Sequence, residues 1–410
     1  MHVLLIHQVF AAPNQFGGTR HYELVQRLLR EGHHFTVIAS NISYDRNELI
    51  VDRRGLIVEQ NLGGIRVLRA YTYPSLHRGF AWRVIAFLSF MCTSLWAALR
   101  VGPVDLVMGT SPPIFQAVSA WLVAVIRRRP FLLEIRDLWP EFAIDIGVLK
   151  NPILISLSRW LERFLYARAT HLLVNSPAYR TYLIGKGVPA PKISLIPNGV
   201  DSDLFDPEAK GEGLRREWGL DRQFVVTYAG VLGLANDIPT ILGAADRLRN
   251  QTQIRFLLVG DGAERANLES LARDLQLSNV TFTGSRPKSE IPEVLAASDA
   301  CIATLKNIPM FRTTYPNKVF DYMAAGRPTI LAIDGVIREV VEAAKGGVFV
   351  PPGDDAALAD AVYSLSQDRQ RAEAMGRAAR AYVAEHFNRH QHAIQFLELV
   401  QRLAGENGKR

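Results

Sequence analysis

His2-Val-Leu-Leu-Ile-His7, then Gln15-Phe-Gly-Gly-Thr19, then a run carrying Leu24, Val25, Leu28 and Leu29, a stop at Gly32, and Phe35 to Ala39 occupy the first 39 residues in that order. A short apolar run, a glycine turn, an apolar stripe of helical period and a second apolar run spell strand, loop, helix, strand. That is a βαβ unit, the building block of a parallel sheet. Further apolar runs follow at 105–108, 131–135 and 172–174, with helical stretches at 114–126 and 152–166 between them. One doubly wound α/β domain is therefore expected to close near Ser194-Leu-Ile-Pro-Asn-Gly199.

After a polar stretch the alternation restarts at Phe224-Val-Val-Thr-Tyr-Ala229. Strands are expected at 254–260, 280–283, 300–304, 328–333 and 347–350, with helices at 263–275 and 356–365 and two more, 369–385 and 390–403, before a frayed tail. The reading is an N-terminal domain over 1–200, a C-terminal domain over 201–385, and a final helix in 386–410 that packs back on the first domain. Two such sheets in tandem imply a deep interdomain cleft, because ligands of these folds sit outside the carboxyl ends of the strands.

A chain of 410 residues exceeds the roughly 250–300 at which one hydrophobic core stops growing, which agrees with two domains. Hydrophobic residues make up 48% and charged residues 21%, a globular rather than a disordered balance. Cys92 and Cys301 alone give neither a disulfide framework nor a metal cluster, and a reducing cytoplasm is expected. The first strand starts beside Met1 without a charged n-region, so no signal peptide is read. Net charge is +7, which fits nucleic acid, anionic lipid or an acidic substrate. The basic residues are dispersed and no nucleic-acid module is recognised, so no nucleic-acid partner is expected.

Two apolar segments, 84–99 and 114–126, the latter followed by Arg127-Arg128-Arg129, fall short of the roughly 20 residues that span a bilayer. They read either as buried core helices or as interfacial helices meeting anionic headgroups. Peripheral attachment to the inner face of the cell membrane follows from the second reading.

Gly17 and Gly18 stand between the first strand and helix, where a missing Cβ lets backbone amides approach an anion. The spacing is not that of a dinucleotide fingerprint, and the second strand runs into Ser40-Asn41 without an acid for a ribose, which disfavours a nicotinamide oxidoreductase. Tyr228-Ala-Gly230-Val-Leu-Gly233 repeats the geometry ahead of a helix that Asn236 or Asp237 caps. Gly260-Asp-Gly262 follows the next strand, as a bare turn or a ligand contact. In Pro316-Asn-Lys-Val-Phe-Asp-Tyr-Met-Ala-Ala-Gly326, a proline-led helix start offers amides at Asn317 and Lys318, the Lys318 ammonium, and Asp321 one turn on. One helix then reads both phosphate and ribose.

Glu134-Ile-Arg136-Asp137-Leu-Trp-Pro140-Glu141 gathers four charges at a strand end. Either Arg136 pairs with a carboxylate for structure, or Asp137 or Glu141 meets an acceptor hydroxyl as base or orienting group. The histidines have no partner cysteines, and no metal site is expected.

Together these stretches resemble the family 4 glycosyltransferases of the GT-B fold over nearly the whole chain. Gly17-Gly18, Ile196-Pro-Asn-Gly-Val-Asp201 with Phe205, Tyr228-Ala-Gly230, Val259-Gly-Asp-Gly262 and Phe320-Asp-Tyr-Met-Ala-Ala-Gly-Arg-Pro328 occur in the family's order. Thr110-Ser-Pro-Pro113 and Arg136-Asp-Leu-Trp-Pro140 resemble the branch that builds bacterial surface polysaccharides, including fucosamine-type transferases. The resemblance implies two doubly wound Rossmann-like domains and retaining transfer from a UDP- or GDP-sugar to a lipid-linked or glycan acceptor, with no obligatory metal or other cofactor. Of the family's Glu-x7-Glu, the second acid matches Asp321 and the first position is Thr313, so fewer sugar hydroxyls are held, as in a deoxy or amino sugar. The family's basic pair falls on Val231 and Asn236, which leaves Lys318, Arg20 or Arg312 to neutralise phosphate. Its histidine near the reacting carbon is replaced by Arg136 beside Asp137. The departures also allow a nucleotide-sugar epimerase or a non-catalytic nucleotide-sugar-binding protein of the same fold.

Overall fold

The computed structural model describes residues 1–12, 18–43, 49–50, 55–74 and 80–406. The chain forms two compact units, Met1–Pro197 with His390–Arg410, and Asn198–Arg389. Hydrogen bonds fix these borders a few residues away from the expected ones. Arg20 ties the carbonyls of Ile196 and Pro197 to the first unit, whereas the Asn198 amide donates to the Tyr315 carbonyl of the second. Val200 N–H donates to the Phe387 carbonyl and Arg389 N–H to that of Val200, which holds 387–389 in the second unit.

The first unit carries eight strands: β1 His2–Ile6, β2 His34–Ser40, β3 Ile57–Leu62, β4 Ile65–Ala70, β5 Leu106–Ser111, β6 Phe131–Ile135, β7 His171–Val174 and β8 Ile193–Leu195. Their order is β3-β4-β2-β1-β5-β6-β7-β8, parallel except where β3 runs antiparallel to β4. That hairpin is absent from the sequence reading. Its signal was Leu62-Gly-Gly-Ile65, a two-residue turn with both glycines at positive φ. Strands β1 and β5 are buried almost throughout because helices cover both faces of a parallel sheet.

The second unit carries β9 Phe224–Ala229, β10 Ile254–Val259, β11 Val280–Gly284, β12 Ala300–Thr304, β13 Thr329–Ala332 and β14 Gly347–Phe349, in the all-parallel order β11-β10-β9-β12-β13-β14. Side chains alternate between two cores, Val225, Leu257, Cys301 and Leu331 on one face, Val226, Leu258, Ile302 and Ile330 on the other. In each sheet the winding direction reverses beside the first strand, between β1 and β5 and between β9 and β12. Those are the positions where doubly wound sheets open a crevice at their carboxyl ends.

The helix Phe80–Arg100 corrects the length read from the sequence. Arg83 interrupts an uncharged run but not a helix, so the segment from Trp82 to Arg100 is long and apolar enough to cross a membrane by length and composition alone. Only 28% of its most apolar stretch is buried, which sets it apart from an ordinary core helix. Ile114–Arg127, by contrast, buries Ala117, Ala120, Val123 and Ala124 along one stripe. The last helix, Arg389–Glu406, passes through Gly405 where fraying was expected, and residues 407–410 lie outside those described. It seats Phe396, Val400 and Leu403 on the β1–β2 core of the first unit. Phe396 is fully buried, so Phe396→Ala should cost roughly 3–5 kcal/mol, read as a lower urea midpoint.

Candidate functional site

In the second unit the loops after β9 and β10 are packed backbone against backbone. A Cβ on Gly260 would stand 1.8 Å from the Gly230 carbonyl oxygen, and one on Gly262 2.4 Å from that of Leu232. Gly230 N–H donates to the Val259 carbonyl and Leu232 N–H to that of Asp261, both at 2.9 Å. These glycines therefore serve close approach, and the Gly230 amide expected to face an anion is already engaged. Gly233 excludes no Cβ, its nearest neighbour being 3.5 Å away.

The helix Asn317–Ala324 brings Lys318 to the same place. Its ammonium donates to Tyr228 Oη at 2.6 Å and to Asn236 Oδ1 at 3.1 Å, and a Cβ on Gly230 would stand 2.9 Å from it. Both acceptors are neutral, and desolvation lowers the Lys318 pKa to about 7. Asp321 follows one turn later, half-buried, on the same helix. Asn317 is exposed at its start. Asn236 is thus a partner of Lys318 rather than a cap. Asp237 holds the N-cap position in the left-handed region without a side-chain cap bond, its carboxylate accepting instead from the Thr240 hydroxyl at 2.7 Å.

In the first unit a polar cluster occupies the carboxyl ends of β1, β5 and β6. Arg136 Nη1 lies 3.0 Å from His7 Nε2, and His7 Nδ1 lies 2.9 Å from Thr110 Oγ1. Arginine only donates, so Nε2 is the acceptor and Nδ1 carries the proton toward Thr110. Burial, with His21 and Arg136 adding to it, keeps His7 neutral by holding its pKa well below the histidine value. Gly18 also meets this cluster, 3.3 Å from Arg136 Nη2 by its missing Cβ, while Gly17 lies outside the described residues. Desolvation pushes the Asp137 carboxyl up to about 6, against the opposing pull of Arg136 and of Tyr179, whose hydroxyl stands 3.5 Å away.

The carboxylate pairing that is one reading of Arg136 is made by Arg20 instead. Glu134, fully buried, accepts from Arg20 Nε at 3.0 Å and bonds His21. Burial alone would raise its pKa, but His21, Arg20 and Arg136 hold it well below the carboxylate range. Arg20 is therefore committed to Glu134 and the 196–197 carbonyls and is corrected from a phosphate ligand to a structural cation. Glu141 is likewise set apart from Asp137. It forms a two-point pair with Arg159 at 2.9 and 2.8 Å, which lowers its pKa. Arg312 is exposed, 3.8 Å from Asp334, and the Thr313 hydroxyl donates to the Met310 carbonyl at 2.5 Å. His7, Thr110 and Tyr228 were not singled out as site residues. For His7 the available signal was an imidazole directly after four apolar residues at the carboxyl end of a central strand.

Residues 17–199 match the family described as glycosyl transferase 4-like domain, and residues 212–382 match glycosyl transferases group 1. The chain is similar to a GDP-mannose-dependent alpha-mannosyltransferase of Mycobacterium tuberculosis, 29% identical over 57% of each chain, so the match spans little more than half of that relative. It is also similar to WcaI of Escherichia coli strain K12, named as a colanic acid biosynthesis glycosyl transferase, 24% identical over 81% of this chain and 83% of that one. Among solved structures, Anabaena HepE in complex with UDP and glucose superposes with a TM-score of 0.72 at 20% identity, over 97% of this chain and 99% of that one. With both of its sheets matched in order, the chain belongs to the family 4 glycosyltransferases of the GT-B fold.

Proposed function

We propose that the chain moves a sugar from a UDP- or GDP-sugar to a hydroxyl of a lipid-linked or glycan acceptor in bacterial surface glycan synthesis, retaining the anomeric configuration. The observation that carries the reading is Lys318, an amine held against a glycine loop whose partners among the described residues are neutral. The relative that uses GDP-mannose and the neighbour solved with UDP and glucose support the donor class.

In this reaction the anomeric carbon loses its bond to the diphosphate and gains one to the acceptor oxygen, whose proton leaves. Negative charge grows on the diphosphate, and groups already aimed at it lower the barrier. Lys318 takes up a proton when a diphosphate arrives, since an adjacent anion favours the charged amine. The amides of Asn317 and Lys318 at the helix start add to this, and Asp321 accepts from a donor hydroxyl. The proposal assigns charge compensation to these protein groups and not to a metal. On the acceptor side Asp137 receives or orients the hydroxyl proton, with Arg136 and His7 fixing the loop around it.

Thermal shift with UDP, GDP and their sugars tests donor binding, and NMR of the product tests transfer with retention. Conversion of the donor sugar without any acceptor would establish epimerisation instead. At pH 8, where the empty Lys318 is largely neutral, nucleoside diphosphate binding should take up protons, seen as a dependence of binding enthalpy on buffer ionisation enthalpy. Lys318→Met should lose that uptake. In the ligand-free protein the unfolded lysine, with a pKa near 10.4, binds a proton that the folded one releases above about 7, so stability gains with rising pH between these values. Lys318→Met should then be more stable than the parent at pH 7, by roughly 1–4 kcal/mol, with the gap closing toward pH 10. Asp137→Asn should lower kcat by roughly 100-fold or more. It should also remove the rise of kcat/KM with pH centred near 6 that ionisation of Asp137 gives the parent.

A further inference from the structure

The Asp137 cluster forms one end of a cavity of about 930 Å³ within the first unit, toward the upper end of the range for ligand pockets. His7, Arg136, Asp137 and Trp139 line it at the strand ends. Away from them its walls are mostly apolar and are formed largely by the helices Phe80–Arg100 and Pro152–Arg168. Ile85, Leu88, Ile146, Val148, Leu154 and Leu157 line it and are each 39–57% exposed. The exposure continues along Phe80–Arg100, where Trp82, Ile85, Leu88, Trp96 and Leu99 recur at helical spacing on the outward face. A water-facing stripe of that kind inverts the usual pattern of a surface helix, and contiguous exposed apolar surface marks a binding site. Among the described residues, Arg83 and Arg136 are the cations of the lining and Asp137 is its acid.

We propose that this cavity is the seat of the acceptor's lipid: a single apolar chain lies between the two helices, and the phosphate that joins it to the acceptor head lies toward Arg83 and Arg136. The proposal rests on the transfer reading above and specifies its acceptor. Two features favour this occupant over a protein partner. The surface is concave and continuous with the carboxyl group that would meet the acceptor hydroxyl, and among the described residues its charged lining is two cations, Arg83 and Arg136, against one acid, Asp137. An amphiphile with an anionic head and one chain matches both, and the apolar rim is where the rest of the chain would leave the protein.

Butyl, octyl and dodecyl phosphate, each below its micelle concentration, test the proposal by calorimetry, with UDP and GDP thermal shifts measured on the same protein. Octyl phosphate should bind on the order of 100-fold more tightly than butyl phosphate, because each buried methylene strengthens binding roughly threefold to fourfold. Leu88→Gln and Leu157→Gln change exposed positions and leave the fold intact. Each should weaken octyl phosphate binding at least tenfold while the nucleotide shifts persist. Octyltrimethylammonium should bind at least tenfold more weakly than octyl phosphate. The proposal is overturned if butyl and octyl phosphate bind within threefold of each other, if both variants keep the parent affinity for octyl phosphate, or if the cationic amphiphile binds as well as the phosphate. Any of these results with the nucleotide shifts intact would remove the lipid seat and leave the transferase reading standing. Chain-length-dependent binding without any nucleotide shift would keep the seat and remove the transferase reading.

Discussion

The contact between Gly230 and Gly260 sets the terms for the second unit. With the loops after β9 and β10 in backbone contact, no side chain fits between them, and the carboxyl end of β9 becomes a floor of peptide groups. Lys318 rests on that floor, its ammonium stacked 4.0 Å from the Tyr228 ring centroid and bonded to the hydroxyl of the same tyrosine. A larger residue at Gly230 would meet the amine directly. Gly230 and Lys318, 88 positions apart in sequence, form one device because β9 and β12 are neighbours at the point where the winding reverses.

The first unit solves a different problem at the equivalent place. Its central strands end in Glu134, His7 and Thr110, all buried, so the polar groups must satisfy one another. Arg20, from the first helix, supplies the charge for Glu134 and reaches on to the 196–197 carbonyls, fixing the chain where it leaves this sheet. With Glu134 occupied in this way, Arg136 is turned to His7 and lines the cavity together with Asp137.

The alternation of apolar runs and helical stripes made both sheets legible, because strands covered on two faces must be apolar at every position. The β3–β4 hairpin escaped because no β3 side chain is buried and its signal shrinks to two glycines. Lys318 was legible as a phosphate ligand candidate from its place after a helix-starting proline, and its low pKa was not, since that comes from burial by distant parts of the chain. Arg20 and Glu141 misled for the converse reason: a charge near a strand end reads alike whether its partner lies in solvent, in substrate or, as here, 114 and 18 residues away. Partner choice is a tertiary property, and local sequence does not encode it.

Burial by itself does not separate structural charges from reactive ones here, and the supply of counter-charge does. Glu134 is fully enclosed, yet its pKa falls because Arg20 and His21 stand against it. Lys318 and Asp137 are desolvated too, and desolvation moves the amine down to about 7 and the carboxyl up to about 6, because among the described residues the first has neutral acceptors and the second an arginine whose hydrogen bond goes to His7. Each of these groups is therefore held near the point where it gains or loses its proton at neutral pH. A ligand that brings the missing charge relieves the cost, so under the proposed function this uncompensated desolvation would favour an anion at Lys318 and a hydroxyl proton at Asp137.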